Sequence, residues 1–205
     1  MKSTMKRLFL TSSGLSAFSS FVGKHPKTIT IGFIPTAADP YQDKWFVEKD
    51  RKFFLEQGFE VVDVDIKVKS ELEKLNNVDV IYVAGGNSYY LLEKAIDSGA
   101  LELMRKLVNA GKPYAGGSAG AVFAGPSVEP VSLLDDPKAA PNLKTHRSLC
   151  LVDFVIIPHY GKEKYAERHK KILEDFKDSK FKLITLTDEQ AIIVEGDNFQ
   201  IVESK

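Results

Sequence analysis

Short apolar runs of strand length alternate with longer amphipathic stretches along most of this chain. The alternation is typical of a parallel β-sheet with helices on both faces, because parallel strands need a crossover connection between them. The sequence therefore predicts a three-layer α/β fold with a mostly parallel sheet. The predicted strands are residues 7–10, 28–35, 59–66, 78–84, 154–158 and 182–186, followed by a hairpin over 191–202. The predicted helices are residues 40–57, 89–97, 101–110 and 165–177, with a short one that begins at Ser70.

The size of the chain and its balance of charges limit what it can be. Its 205 residues suit one α/β domain spanning 1–205, with no linker or internal repeat. Hydrophobic residues make up 43% and charged residues 27%, which excludes a largely disordered chain. The 28 basic and 28 acidic residues cancel, so neither nucleic acid nor an anionic membrane surface is an expected partner.

Cysteine content and apolar run length bear on the compartment. The chain contains one cysteine, Cys150, which cannot form an internal disulfide. The apolar run at 8–10 is too short for the core of a signal peptide, and no run approaches the roughly 18 apolar residues of a membrane span. We therefore expect a cytoplasmic monomer or homodimer.

The strongest chemical signal is the pattern Gly-x-Ser-x-Gly at residues 116–120, between a predicted strand and a helix. This is the nucleophile-elbow pattern, in which a sharp turn holds the serine in a strained conformation and glycines avoid collisions. The hydroxyl of Ser118 would then lie at a helix N-terminus, where N–H groups face developing negative charge.

A serine nucleophile needs a base within hydrogen-bond reach. Of the four histidines, His159 directly follows the predicted strand 154–158, whereas His25 and His146 lie in irregular segments and His169 falls on a charged helix. Ligand sites of parallel sheets lie at the carboxyl ends of the strands. We therefore expect Ser118 and His159 to meet at this edge if their strands are parallel neighbours.

The acid that orients the base stays open between three residues of the irregular segment 126–150. Asp135 and Asp136 lie between the serine and the histidine in the chain, and Glu129 is a third candidate.

An oxyanion site needs two converging amides. The amide of Ala119 is one, and the turn at 85–87 can supply the second, because glycine lets a backbone amide approach a substrate. Asn87 also suits the N-cap of the following helix.

Three motifs together resemble the aspartyl dipeptidase (dipeptidase E) family of serine peptidases, which are relatives of cyanophycinase. They are Ala-Gly-Gly-Asn-Ser at 84–88, Ala-Gly-Gly-Ser-Ala-Gly-Ala at 115–121 and Ile-Pro-His-Tyr at 157–160. The resemblance implies a flavodoxin-like sheet similar to class I glutamine amidotransferase domains. It implies Ser118 as nucleophile, His159 as base and Gly86 with Ala119 as oxyanion donors, and its Asp-x-Pro context favours Asp135 as the acid.

The same resemblance bears on the substrate. The dipeptidase branch binds an N-terminal aspartate side chain through an arginine after the histidine, and Arg168 lies at a comparable distance here. A guanidinium can bond both oxygens of a carboxylate. Arg168 and Asn87 are thus the candidate substrate-binding residues, and the expected partner is a small peptide. No cofactor is expected, because the metal motifs His-Glu-x-x-His and paired Cys-x-x-Cys are absent from the sequence.

Two other interpretations stay open. In one, the chain is a non-catalytic domain whose glycine-rich turns bind a nucleotide or another anion, although neither turn fits Gly-x-Gly-x-x-Gly. In the other, Cys150 is the reactive group, but its neighbours Leu149 and Leu151 favour a small buried hydrophobe.

Overall fold

Nine strands form two separate sheets in the structure, a computed structural model that describes residues 5–205. The strands are β1 (Arg7–Thr11), β2 (Thr30–Ile34), β3 (Glu60–Asp63), β4 (Val80–Val83), β5 (Tyr114–Gly117), β6 (Phe154–Ile157), β7 (Lys182–Thr185), β8 (Gln190–Glu195) and β9 (Asn198–Glu203). The helices are α1 (Phe18–Val22), α2 (Trp45–Gln57), α3 (Lys74–Asn77), α4 (Ser88–Ser98), α5 (Ala100–Asn109), α6 (Ala119–Phe123) and α7 (Ala166–Asp175).

The larger sheet has seven strands in the spatial order β3-β2-β4-β5-β1-β8-β9. The first five strands run parallel, whereas β8 pairs antiparallel with β1 and β9 pairs antiparallel with β8. The predicted mostly parallel sheet and its C-terminal hairpin are therefore confirmed. Because β5 lies between β4 and β1, residues that follow it lie centrally on the carboxyl edge, where α/β folds bind ligands.

Both faces of the central parallel strands β1, β2, β4 and β5 are buried, as their near-continuous apolar residues predict. Side chains alternate between the faces along each strand. In β1, Leu8 and Leu10 belong to one apolar cluster and Phe9 to the other. The cluster around Phe9 is rich in aromatic rings; Phe54 packs edge-on against Tyr82 with ring centroids 4.8 Å apart. This packing fixes α2 against the sheet.

The smaller sheet consists of β6 and β7, which pair in parallel. β5, which precedes Ser118, pairs with β4 and β1, whereas β6, which precedes His159, pairs with β7. The expectation that the two strands are sheet neighbours is therefore wrong. Instead, β6 packs against α6, the helix that follows Ser118. The two residues come from different sheets.

Two predicted helix starts differ from the structure, and one helix was not predicted. α2 begins at Trp45 rather than at residue 40, because Asp39 ends a 3-10 turn and its carboxylate accepts a hydrogen bond from Lys44. Residues 69–73 form a 3-10 helix instead of the α-helix expected to begin at Ser70, and the Glu71 carboxylate accepts a hydrogen bond from the amide of Asp65. The unpredicted α1 buries Phe18 in the aromatic cluster.

The irregular segment 126–150 is tied to the rest of the protein. It contains 3-10 helices at Glu129–Val131 and Pro137–Ala139. The guanidinium of Arg105 donates hydrogen bonds to the carbonyls of Leu149 (3.0 Å) and Ser148 (2.8 Å). These contacts fasten the end of the segment to α5. Within residues 5–205, no helix combines the length and the apolar character needed to cross a bilayer.

Candidate active site

Ser118 occupies the sharp turn between β5 and α6, with a positive φ of 47°. A Cβ atom added at Gly116 would lie 2.4 Å from the backbone of Gly120, and one added at Gly120 would lie 2.1 Å from the carbonyl oxygen of Val83. Real Cβ atoms do not approach this closely, so the turn requires glycine at both positions. The strained serine and its two glycines match the nucleophile-elbow geometry that the sequence predicts.

The Oγ atom of Ser118 lies 2.9 Å from Nε2 of His159, which is hydrogen-bond distance. His159 follows β6 and also has a positive φ, 60°. Two contacts hold its backbone in place: its amide donates to Oγ of Ser12 at 2.7 Å, and the next amide, of Tyr160, donates to the carbonyl of Leu186 at 2.9 Å. The structure thus brings the predicted nucleophile and the predicted base together.

Asp188 lies behind the histidine, and its Oδ1 atom is 2.6 Å from Nδ1 of His159. Oγ of Ser12 donates a second hydrogen bond to Oδ1 at 2.9 Å, and the ammonium group of Lys162 pairs with Oδ2. Burial opposes ionisation of Asp188, but the hydrogen bonds from His159, Lys162 and Ser12 outweigh it and hold the pKa of this carboxyl well below its usual range. Asp188 is therefore a carboxylate at neutral pH.

The three acids proposed from the sequence make other contacts. Oδ2 of Asp135 accepts a hydrogen bond from the amide of Ser88 at 2.8 Å, at the start of α4. Asp136 caps the amide of Lys138, and Glu129 is exposed. The structure places Asp188 against Nδ1 of His159, where the sequence analysis had expected Asp135. Burial raises the pKa of Asp135 to about 6, partly offset by the hydrogen bond from Ser88.

The two expected oxyanion donors, Gly86 and Ala119, both line the cavity that contains Ser118. Ala119 is the first residue of α6, so its amide has no acceptor within the helix. Gly86 has φ 144°, and a Cβ atom there would lie 2.1 Å from the carbonyl oxygen of Ala37. The next amide, of Asn87, donates to that same carbonyl at 2.7 Å. Only glycine fits this close contact.

The two candidate substrate-binding residues lie outside the cavity lining. The side chain of Asn87 is buried; it caps α4 by accepting from the amide of Tyr90 at 2.9 Å and donates to the carbonyl of Asp136. Arg168 is exposed on α7, with its guanidinium 5.8 Å from the ring centroid of Tyr165. Asn87 therefore fulfils the capping role, and Arg168 is not placed to bind a substrate in the cavity.

Two other sequence expectations are corrected. His169, expected on a solvated helix face, is buried, and its Nε2 atom lies 2.9 Å from the carbonyl of Pro158, next to the base. Cys150 is partly exposed rather than buried, and it is not among the residues that line the cavity.

The cavity around Ser118 has a volume of about 350 Å³ and is lined by both polar and aromatic side chains. Three lysines and four acids contribute charge: Lys49, Lys162, Lys164, Asp43, Asp50, Asp135 and Asp188. Aromatic side chains at its wall are Tyr41, Trp45, Phe46 and Tyr165. No group of three His, Cys, Asp or Glu side chains within residues 5–205 is placed to hold a metal ion.

The sequence analysis missed Asp188 and Ser12. Asp188 follows the predicted strand 182–186 at the same sheet edge as His159, so the rule that located the histidine could have located the acid as well. Ser12 follows β1, and it lies near Ser118 because β1 is the neighbour of β5 in the larger sheet. The sequence alone does not reveal this order of strands.

Comparison with known proteins shows the family of this chain. The sequence pattern of Peptidase family S51 matches residues 8–202. The chain belongs to this family. An uncharacterised peptidase of Pasteurella multocida is 34% identical, with 94% of this chain and 95% of that protein covered. The family membership makes this chain a serine peptidase.

Two further S51 comparisons are informative. A crystal structure of a candidate peptidase E from Listeria monocytogenes superposes with a TM-score of 0.91 at 33% identity, covering 98% of this chain and 100% of that one. A Drosophila melanogaster protein named "Probable alpha-aspartyl dipeptidase" is 34% identical over 69% of this chain and 56% of its own length. The S51 fold is thus shared along the whole length of a solved relative.

Proposed function

We propose that this S51 chain hydrolyses short peptides through a Ser118–His159–Asp188 triad and an acyl-enzyme. The observation that carries the proposal is the unbroken chain of contacts from Ser118 Oγ to His159 Nε2 (2.9 Å) and from His159 Nδ1 to Asp188 Oδ1 (2.6 Å). A nucleophile in contact with a base that is itself oriented by a carboxylate is the arrangement of serine hydrolases.

In the proposed reaction, Nε2 of His159 takes the hydroxyl proton of Ser118 while Oγ attacks the carbonyl carbon of the peptide. The carbonyl oxygen becomes an oxyanion, which the amides of Gly86 and Ala119 stabilise. The C–N bond then breaks, and the proton on Nε2 moves to the leaving amine. A water molecule, deprotonated by the same histidine, attacks the ester and frees the acid product and Ser118.

In this mechanism Asp188 remains an ionised carboxylate throughout the reaction. Because its pKa lies well below the usual range, it stays ionised and keeps the proton of neutral His159 on Nδ1, which leaves Nε2 free to accept. The ammonium group of Lys162 and the hydroxyl of Ser12 fix the orientation of this carboxylate. Asp188, and not Asp135, is therefore the proposed acid.

The proposed substrates are dipeptides with an N-terminal aspartate. A cavity of about 350 Å³ lies at the small end of ligand pockets, which run from roughly 300 to 1,000 Å³, and so suits a short peptide. The name of the Drosophila relative suggests the aspartyl preference. Lys164 lines the cavity and has no ion-pair partner within residues 5–205, so it is the proposed partner of the aspartate side chain in place of Arg168.

The direct test is labelling of the purified protein with a fluorophosphonate, read as a mass increase on the peptide that contains Ser118. We expect stoichiometric labelling, no labelling of Ser118→Ala, and slow labelling of His159→Ala. Exposed Ser179→Ala is the matched control and should label as the unchanged protein does. Labelling that persists in Ser118→Ala would refute the assigned nucleophile.

Substrate preference is tested with dipeptides that differ at the first residue. Asp-Leu and Asn-Leu differ only in the charge of one side chain, so their ratio of kcat/KM isolates recognition of the carboxylate. We expect Asp-Leu to be favoured at least about 10-fold, the size of one charge-assisted contact. Equal rates would refute the aspartyl preference while leaving the peptidase proposal intact.

The non-catalytic alternative, in which the glycine turns bind an anion, does not account for the Ser118–His159–Asp188 contacts. A cytoplasmic location is also part of the proposal. It rests on the single partly exposed cysteine, which a reducing compartment keeps as a thiol.

A further inference from the structure

Asp50 is a buried carboxyl group beside the proposed nucleophile, and nothing in the triad mechanism uses it. It lies on the inner face of α2 with 7% of its surface exposed and lines the cavity that contains Ser118. Its Oδ2 atom would lie 3.7 Å from a Cβ added at Gly117, the residue that precedes the nucleophile. The carboxyl group is therefore next to the elbow.

The Asp50 carboxylate can accept more hydrogen bonds than the protein donates to it. Oδ2 accepts one hydrogen bond, from the hydroxyl of Tyr82 at 2.6 Å. The ammonium group of Lys49 is 3.9 Å from Oδ1, which is beyond hydrogen-bond range. A carboxylate has about four acceptor positions. Within the described residues, Oδ1 has no hydrogen-bond donor, so a donor from a bound molecule would satisfy it.

A buried carboxylate without a cationic partner at hydrogen-bond distance is costly, and burial raises the pKa of Asp50 to about 6, partly offset by the Tyr82 hydrogen bond. The Asp50 carboxyl group is thus ionised at neutral pH, although burial disfavours its charged form. A bound cationic group would stabilise that charge. Tyr82 is fully buried and stacks with Phe33, so it holds the carboxylate in one place.

We propose that Asp50 binds the α-ammonium group of the substrate's first residue. This inference rests on the proposed peptidase function. In a dipeptide the ammonium nitrogen is attached to the carbon atom that bears the attacked carbonyl, so its anchor must lie close to the nucleophile. Asp50 meets this requirement because its carboxylate lies beside Gly117, the residue that precedes Ser118.

Three other acids line the cavity. Asp188 is bound to His159 and Lys162, and Asp43 is exposed and accepts a hydrogen bond from the amide of Trp45. The third, Asp135, also suits this role less. Its Oδ2 atom already accepts a hydrogen bond from the amide of Ser88, at the start of α4. That contact places the Asp135 carboxylate at the positive end of a helix, whereas Asp50 lies within α2 and has the ammonium group of Lys49 3.9 Å away.

The anchor gives the enzyme a rule for its substrates. Peptides with a free N-terminus gain a charged contact at Asp50, whereas acylated peptides bring only a neutral N–H donor and the added bulk of the acyl group. The S51 chain would therefore be an exopeptidase that removes single N-terminal residues.

The test compares Asp-Leu with succinyl-Leu, which has the same carboxylate and the same scissile bond but lacks the α-ammonium group. We expect the unchanged protein to prefer Asp-Leu by about 10- to 100-fold in kcat/KM, the range for a hydrogen bond between charged groups. In Asp50→Asn this preference should fall to within about 3-fold, through loss of Asp-Leu hydrolysis with succinyl-Leu turnover little changed. Glu56→Gln, an exposed acid on the same helix, is the matched control and should keep the full preference.

The outcomes separate the two proposals. A purely structural role for Asp50 would slow both substrates equally, and a preference that survives in Asp50→Asn would overturn the anchor. Equal cleavage of both substrates by the unchanged protein would also overturn it, while the peptidase function stood. Fluorophosphonate labelling of Ser118 without cleavage of any free-amino dipeptide would contradict both the anchor and the proposed dipeptide substrates, while the assigned nucleophile stood. Absence of both labelling and cleavage would contradict the peptidase proposal itself.

Discussion

His159 and Asp188 follow the two strands of the smaller sheet, and their side chains meet at 2.6 Å although 29 residues separate them in the chain. β6 and β7 run parallel, so the residues after them leave the sheet at the same edge. The proposed base and acid are therefore brought together by the smaller sheet, while Ser118 and Ser12, which binds both of them, follow strands of the larger sheet.

Replacement of Asp188 should affect catalysis far more than replacement of Asp135. Asp188→Asn keeps the shape of the side chain but no longer fixes the tautomer of His159, so we expect kcat to fall by roughly 10⁴-fold. Asp135→Asn should cost less than about 10-fold, because Asp135 contacts Ser88 and not the base. Dipeptide hydrolysis by both variants, with circular dichroism as a control for folding, measures the difference. Equal losses in the two variants would contradict the assignment of the acid.

Ser12 should matter as a positioning residue. Its hydroxyl accepts from the amide of His159 and donates to Asp188, so Ser12→Ala leaves the His159 amide without this acceptor and removes one of the two donors to Oδ1 of Asp188. We expect kcat/KM to fall by about 10-fold or more, with KM little changed. The apparent pKa in the pH–rate profile should also shift, because one hydrogen bond to the carboxylate is lost. A profile identical to that of the Ser179→Ala control would show that Ser12 has no such role.

The catalytic contacts show what the sequence can and cannot supply. Ser118 could be predicted from the local sequence, because the strained turn admits only glycine at 116 and 120. His159 could be predicted because it directly follows an apolar strand. Asp188 and Ser12 reach the site through pairings between β6 and β7 and between β1 and β5, which depend on tertiary packing. The sheet itself was predictable because its strands are apolar on both faces; its division into two sheets was not.

Alanine at Gly120 should destabilise the fold. A Cβ atom there would lie 2.1 Å from the carbonyl oxygen of Val83, a backbone atom that cannot move aside cheaply. We expect Gly120→Ala to lower the free energy of unfolding by about 3 kcal/mol or more. Gly23→Ala is the comparison: φ is also positive there, but nothing is closer than 3.8 Å, so only the backbone strain of about 1–2 kcal/mol applies. Urea denaturation measures both, and equal losses would contradict the steric account.

The raised pKa of Asp50 makes part of the stability depend on pH. Its pKa is about 6 in the folded protein and about 3.9 in an unfolded chain, so the folded state binds more protons between these values. Its contribution therefore becomes unfavourable as pH rises from about 4 to about 6 and stays so above, by up to about 3 kcal/mol. Asp50→Asn should remove this effect. The difference in unfolding free energy between Asp50→Asn and the unchanged protein should rise over this interval, and a constant difference would contradict it.

Arg168 should not determine substrate preference. It is exposed on α7 and does not line the cavity, so Arg168→Ala should change the Asp-Leu to Asn-Leu ratio of kcat/KM by less than about 2-fold. Lys164→Met retains most of the aliphatic side chain but removes the cavity charge, and it should lower the same ratio by about 10-fold. A large effect of Arg168→Ala with none of Lys164→Met would reverse the assignment.

The split between the two sheets has a consequence for how this enzyme loses activity. The imidazole of His159 follows β6 of the smaller sheet, the hydroxyl of Ser118 follows β5 of the larger sheet, and Asp188 lies in the connection between β7 and β8. A small opening at the seam between α6 and β6 would silence the peptidase while most amide protons of the core remained protected from exchange. Inactivation on heating should then precede melting, and hydrogen exchange in β6 and β7 should report it first.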